Sequence, residues 1–224
     1  MAKFLVTFAL PQESLLFERK LTRVVVKHGL TLGQLGAHEI AVFRLGLGAQ
    51  DKEGFKRAVK ELSSELVIHS GFAGAVRTLL EPGDFVLAEN FSLPELSNWL
   101  GRTRIFAARG SFATVNEIAD SAAKARLNSK SNIIALDMES AQVAALCSDL
   151  AVSYVSAKMI SDRYDEGIPG IFLGKKIRRM RDLSDAIWFA SRMLVLRQKL
   201  ADRLVELISA VGDRKGRIDG FIAR

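Results

Sequence analysis

Short apolar runs alternate along this chain with stretches in which apolar and charged positions separate, a pattern that predicts successive α/β units. Lys3 to Ala9 reads as a short buried strand and Glu13 to Lys20 as the start of a helix. Glu39 to Leu45 then reads as strand, Lys52 to Ser64 as helix, and Glu65 to Ser70 and Gly83 to Ala88 as strands. Arg104 to Ala108 is a further strand candidate, Val115 to Arg126 a helix, and Ile133 to Leu136 a strand leading into a helix at Glu139 to Ser148. Val152 to Met159 supplies another strand, Asp165 to Arg181 a loop containing Gly167, Pro169, Gly170 and Gly174, and Leu183 to Val211 a long closing helix. No repeat, linker or low-complexity tract interrupts the pattern, so one domain over residues 1–224 with a largely parallel sheet is expected.

Composition narrows the class. The chain is long enough for a full core, and its balance of apolar and charged residues is that of a globular protein rather than a disordered one. Cys147 is the only cysteine, which excludes an internal disulfide and a cysteine zinc cluster and fits a reducing compartment. The apolar run after Lys3 is too short for a signal peptide and no stretch matches a membrane span, so a cytoplasmic protein without a membrane partner is expected. A formal charge of +7 raises the question of nucleic acid. The basic residues are scattered except over Lys175 to Arg181, and no aromatic residues interleave there to stack on bases. A solvated or phosphate-facing surface is therefore expected, and no nucleic-acid partner.

Candidate chemistry sits where apolar runs end. After the first run, Pro11-Gln12-Glu13 delivers a carboxylate that can activate water, or that merely complements the dipole of a helix's first turn. Gly46-Leu47-Gly48 and Ser70-Gly71-Phe72-Ala73-Gly74 let a ligand approach the backbone, but the dinucleotide fingerprint is absent, which disfavours a nicotinamide cofactor. Within Asp137-Met138-Glu139, Glu139 suits a ribose diol because a carboxylate is acceptor-only and each hydroxyl needs somewhere to place its proton; helix capping by Asp137 and Glu139 is the alternative. Ile160-Ser161-Asp162 ends a buried run on an acid able to protonate a leaving group, or to act as a cap or turn residue. Glu13, Glu139 and Asp162 each follow an expected strand, and a parallel sheet would gather them on one edge.

Taken in order, these motifs together with Pro82-Gly83-Asp84-Phe85-Val86 resemble those of the nucleoside phosphorylase and nucleosidase superfamily, over about three-quarters of the chain. The most specific part is Asp-Met-Glu followed about twenty residues later by Ser-Asp. The resemblance implies a three-layer α/β phosphorylase-like fold with a mixed, largely parallel central sheet flanked by helices. It also implies a homo-oligomer, as a dimer, acting on a small-molecule nucleoside without metal or organic cofactor. Carried over, Glu13 is similar in place to the general base of the methylthioadenosine and S-adenosylhomocysteine nucleosidases. Asp162 would protonate the purine ring, with Ser161 beside it. Met138 and Glu139 would hold the ribose, Phe112 would stack on the base, and Gly71 and Phe72 would border the sugar.

The chain departs from the family pattern at three positions. Phe72 stands where Ser or Thr is frequent, His69 where related phosphorylases have a phosphate-binding Arg, and Lys158 where the nucleosidases have Arg. The first two argue against phosphorolysis, with Arg44 as a candidate substitute for phosphate binding. Hydrolysis of a purine-type nucleoside is the first expectation. The alternatives are phosphorolysis with phosphate as co-substrate, of purine, uridine or hopanoid-precursor type, and an inactive nucleoside-binding protein. Relatives acting on futalosine remain in view, although that branch tends to carry Asn at the position of Asp162. Loops such as Glu89 to Trp99 and Arg163 to Gly174 would choose the base and 5′ substituent.

Overall fold

The computed structural model describes residues 1–117, 119, 121–130, 132–169 and 180–213. The first expected unit forms as β1 (Lys3–Phe8) and α1 (Pro11–Glu18), with Pro11 at the helix start, where a missing N–H costs nothing. A hairpin of β2 (Thr22–Lys27) and β3 (Leu30–Leu35) follows, which the sequence pattern did not predict. All six residues of β2 are exposed, so it has no buried face to give it a period of two. Next come β4 (His38–Arg44), α2 (Lys52–Leu62), β5 (Leu66–His69) and β6 (Phe72–Ala75). They are followed by β7 (Phe85–Ser92), α3 (Pro94–Leu100), β8 (Ala108–Thr114) and α4 (Ser121–Lys130). The chain closes with β9 (Ile133–Asp137), α5 (Ser140–Asp149), β10 (Ser153–Asp162) and α6 (Met180–Asp213).

Several boundaries differ from the sequence reading for physical reasons. Only Ala108 of the expected strand Arg104 to Ala108 is extended in the sheet; Phe106 instead stacks on Phe85 at 5.1 Å, so the apolar signal marks core packing by an irregular segment. The helix expected from Val115 begins at Ser121. The glycine turn after Ser70 is itself the short strand β6, and β10 runs on through Ile160, Ser161 and Asp162. Gly170, Gly174 and most of the basic run Lys175 to Arg181 lie outside the described residues.

The fold is α/β, and among the described residues one mixed ten-stranded sheet runs in the order β2-β3-β4-β1-β5-β10-β6-β9-β8-β7, with β10 pairing again with β7. That last pairing closes β10, β6, β9, β8 and β7 into a ring, while β5, β1, β4, β3 and β2 extend from it. Within the ring β7, β8 and β9 run opposite to β10 and β6. Side chains alternate across the sheet as strand geometry requires. Phe4, Val6 and Phe8 of β1 join Phe17 of α1 and Leu196, Leu200 and Leu204 of α6 in one core, whereas Leu5 joins Phe55 of α2 and Val143 and Leu146 of α5 in another. Helices therefore pack on both faces. A third cluster draws Ala73, Val86, Phe112, Ala135 and Ile160 from the five ring strands and fills the ring's interior. No helix among the described residues is long and apolar enough to cross a membrane.

Candidate active site

A cleft of about 210 Å³ opens where β1, β6, β9 and β10 meet, and Glu13, Met138, Glu139, Ser161 and Asp162 all line it. The three expected carboxylates thus converge, but not on the edge of a parallel sheet. β9, which leads to Glu139, runs antiparallel to β6, and the curl of the ring carries it to the end of β10.

Glu13 lies in the first turn of α1 and its Oε2 accepts the backbone N–H groups of Ala9 and Leu10, each at 3.0 Å. It completes the helix start and faces the cleft at the same time. Burial pushes its carboxyl above the ordinary glutamate value, the nearby Lys158 opposes that, and Glu139 adds to it. Gly71 is required here: its φ is +130°, and a Cβ would stand 3.1 Å from both Glu13 carboxylate oxygens.

Asp137 and Glu139, two residues apart, divide the roles between them. Asp137 caps α5 through the Ser140 N–H at 3.1 Å and also accepts Thr114 Oγ1 at 2.9 Å and the Ser140 hydroxyl. Glu139 makes no capping bond; its Oε1 accepts the Gly48 N–H at 3.1 Å and the side chain lines the cleft. Behind them Lys158 is 1% exposed, with Nζ 2.8 Å from His69 Nε2, 3.3 Å from the Ser70 carbonyl, 3.4 Å from Asp137 and 3.9 Å from Glu139. Since an ammonium only donates, His69 Nε2 accepts and Nδ1 carries the proton, placing it toward Thr7 Oγ1 at 3.0 Å. Burial, then the Lys158 charge, hold the His69 ring well below the ordinary histidine range, so it is neutral. His69, Asp137 and Glu139 are close enough to share a metal ion, but the Lys158 ammonium occupies the space near all three donor atoms.

At the other end Asp162 accepts from Lys124 at Oδ2 and from the Ser161 hydroxyl at Oδ1. Lys124, on α4, is 2% exposed and lines the cleft. Sequence reasoning did not single it out. It sits 38 positions from its partner, and a lysine beside Ala122, Ala123 and Ala125 reads as an ordinary exposed helix position.

Phe72 is a half-buried wall of the cleft and leaves it open. Phe112 is not a lining residue: it is buried in the ring's interior, and its backbone N–H and carbonyl are fastened to the Asn90 side chain at 2.8 and 3.0 Å. Val115, Ala119, Leu47 and Ile168 are among the cleft's other apolar walls. Arg44 is bound to Glu18 and, at 3.0 Å, to Ser14 Oγ, away from the lining. Cys147 is buried with its thiol pushed up to about 12, which leaves it unreactive.

The family model of the phosphorylase superfamily matches residues 3–93 and 95–206. None of the curated proteins matches the chain significantly. Among solved structures, the chain is similar to a 5′-methylthioadenosine/S-adenosylhomocysteine nucleosidase from Neisseria meningitidis in complex with methylthio-immucillin-A, at 18% identity and a TM-score of 0.72 over 94% of this chain and all of that one. The corresponding nucleosidase from S. pneumoniae, with a transition-state inhibitor, is 16% identical with a TM-score of 0.71 over the same shares. A mutant futalosine hydrolase from Helicobacter pylori is also 16% identical, with a TM-score of 0.69 over 94% of this chain and all of that one. At these identities the likeness is one of fold.

Proposed function

The chain belongs to the phosphorylase superfamily, and from that premise we propose that it is a nucleosidase: it hydrolyses the N-glycosidic bond of a purine-type nucleoside of the methylthioadenosine or S-adenosylhomocysteine kind. One observation carries the choice of water over phosphate. The end of the cleft that holds Glu13 offers a half-buried carboxylate and an apolar Phe72, while Arg44 is committed to Glu18 and His69 is neutral. A phosphate dianion placed there would meet the Glu13 charge, and the nearby Lys158 is already engaged by His69, Asp137 and Glu139. Among the described lining residues the one cation is Lys124, which is bound to Asp162. The methylthio-immucillin-A ligand of the Neisseria neighbour motivates the choice of nucleoside.

In this mechanism Glu13 takes a proton from water, and its raised pKa suits a base. Met138 packs on the ribose, Glu139 accepts from its hydroxyls, and the Asp162 end delivers a proton to the departing ring. Ser161 orients Asp162, Gly71 leaves room for Glu13, and Phe72 borders the sugar. Val115 and Ala119, which line the cleft, are better placed than Phe112 to meet the base. No cofactor is called for, because proton transfer and sugar positioning complete the reaction. The reading includes one three-layer domain and a cytoplasmic homodimer. The exposed Ile187, Trp188, Leu194 and Val195 of α6 are the surface such a dimer would cover, and light scattering at the 24.6 kDa monomer mass would remove that part.

The deciding assay follows base release from methylthioadenosine, S-adenosylhomocysteine, adenosine, inosine, uridine and futalosine with and without phosphate. Equal rates with free pentose as product are expected. Accumulation of a pentose 1-phosphate would make the protein a phosphorylase, and tight binding without release of base would make it a binding protein.

A further inference from the structure

Both carboxylate oxygens of Asp162 are engaged as acceptors, Oδ2 by the Lys124 ammonium and Oδ1 by the Ser161 hydroxyl. With Lys124 on one oxygen and Ser161, which also reaches the Ala73 carbonyl at 3.3 Å, on the other, neither oxygen is turned to the cleft as a donor, yet the departing base needs a proton. Lys124 is the bound proton in contact with it. Its three N–H bonds go to Asp162, to the Arg163 carbonyl at 2.8 Å and to the Glu166 carbonyl at 2.9 Å. Peptide carbonyls do not take up protons, so Asp162 is the only one of the three partners that can relay. The pair is also fitted to the cleft by Gly74, where a Cβ would stand 3.1 Å from Asp162 Oδ2 and 3.2 Å from Lys124 Cε.

We propose that Lys124 and Asp162 work as one proton-donating unit, with the Lys124 ammonium as the source of the proton that the departing base receives. The inference rests on the nucleosidase reading above. As the C1′–N bond breaks, its electron pair passes to the base; Asp162 takes a proton from Lys124 and gives it to a ring nitrogen. The water oxygen bonds to C1′ and its proton goes to Glu13. Glu13 then releases that proton to solvent, and Lys124 regains one from solvent, which restores both groups. The Arg163 to Glu166 segment is tied to α6 through Arg192 and Glu166 at 2.9 Å, so the lysine is held from both sides.

The test compares wild type, Lys124→Met and Lys124→Arg on methylthioadenosine and on p-nitrophenyl β-D-ribofuranoside, whose leaving group departs as an anion without protonation. Arginine keeps the charge but does not give up its proton. Both variants are expected to lose about 10²–10⁴-fold in kcat/KM on the nucleoside and to cleave the nitrophenyl riboside at close to the wild-type rate. Arginine restoring nucleoside cleavage would show that charge alone suffices and overturn the proposal. A parallel loss on both substrates would reduce Lys124 to a structural role, with the same consequence. Should the Met variant not fold, as judged by its urea midpoint, the Arg variant carries the same two readouts. A wild type that cleaves neither substrate brings down the nucleosidase reading and this proposal together, whereas an active wild type with active variants brings down this proposal alone.

Discussion

Glu13 and Asp162 face one cleft under opposite conditions. Glu13 is held by two backbone N–H groups and desolvated, with its nearest favourable charge, Lys158, turned toward His69 and Asp137. Asp162 has an ammonium directly against it and a hydroxyl on its second oxygen. The same functional group is thereby prepared to accept a proton at one end and to pass one on at the other. The local partners decide this, not the residue type, because burial favours the neutral acid while a neighbouring cation favours the charged one.

Removing the donor end should have the largest effect. Asp162→Asn is expected to lower kcat/KM for the nucleoside by about 10²–10⁴-fold while leaving the affinity for a nucleoside analogue, measured by calorimetry, nearly unchanged. An enzyme that keeps its rate with Asn at this position would break the division between the two ends.

Glu13→Gln should cost roughly a hundredfold or more, and on the nitrophenyl riboside as well as on the nucleoside, since water attacks in both. That contrast with Asp162→Asn sharpens the comparison. Because Glu13 is raised above 4.5 in the folded protein, it stays protonated, and useless as a base, at pH values where an ordinary glutamate is ionised. Wild-type kcat/KM should therefore fall on the acid side at a pH above 4.5, and the limb should vanish in the Gln variant. A limb at or below the ordinary value would show that burial does not govern this end.

The smallest expected effect concerns the support behind the Glu13 end. His69 is held neutral well below 6.5, so below that pH the unfolded chain binds a proton that the folded one refuses. Stability then falls as pH drops through about 6.5, by up to about 1.4 kcal/mol per pH unit. Urea midpoints measured between pH 8 and 5 should show this slope in wild type and a shallower one in His69→Gln. Equal slopes would mean that the ring already titrates in the folded state.

Much of this was legible in the chain. Apolar runs located β1, β4, β5, β7, β9 and most of β10, because strands buried on both faces read as continuous apolar segments. Motifs at their ends placed Glu13, Met138, Glu139, Ser161 and Asp162, and all five line the cleft. The exposed β2 lacked any such signal, and Ile105 and Phe106 carried a strand-like signal from a segment that packs without joining the sheet. Phe112 was expected to stack on the base but lies in the core, because a side chain's apolar character does not say on which side of a strand it will find its neighbours.

The sequence by itself determined the α/β class and which carboxylates stand at the ends of its buried strands, since both follow from local periodicity. Only the tertiary structure decided that β10 closes onto β7 with Phe112 inside, that Asp137 caps while Glu139 faces the cleft, and that Lys124 meets Asp162 and Lys158 meets His69. These are contacts between residues far apart in the chain, and their energies depend on burial and on partners that no local pattern encodes.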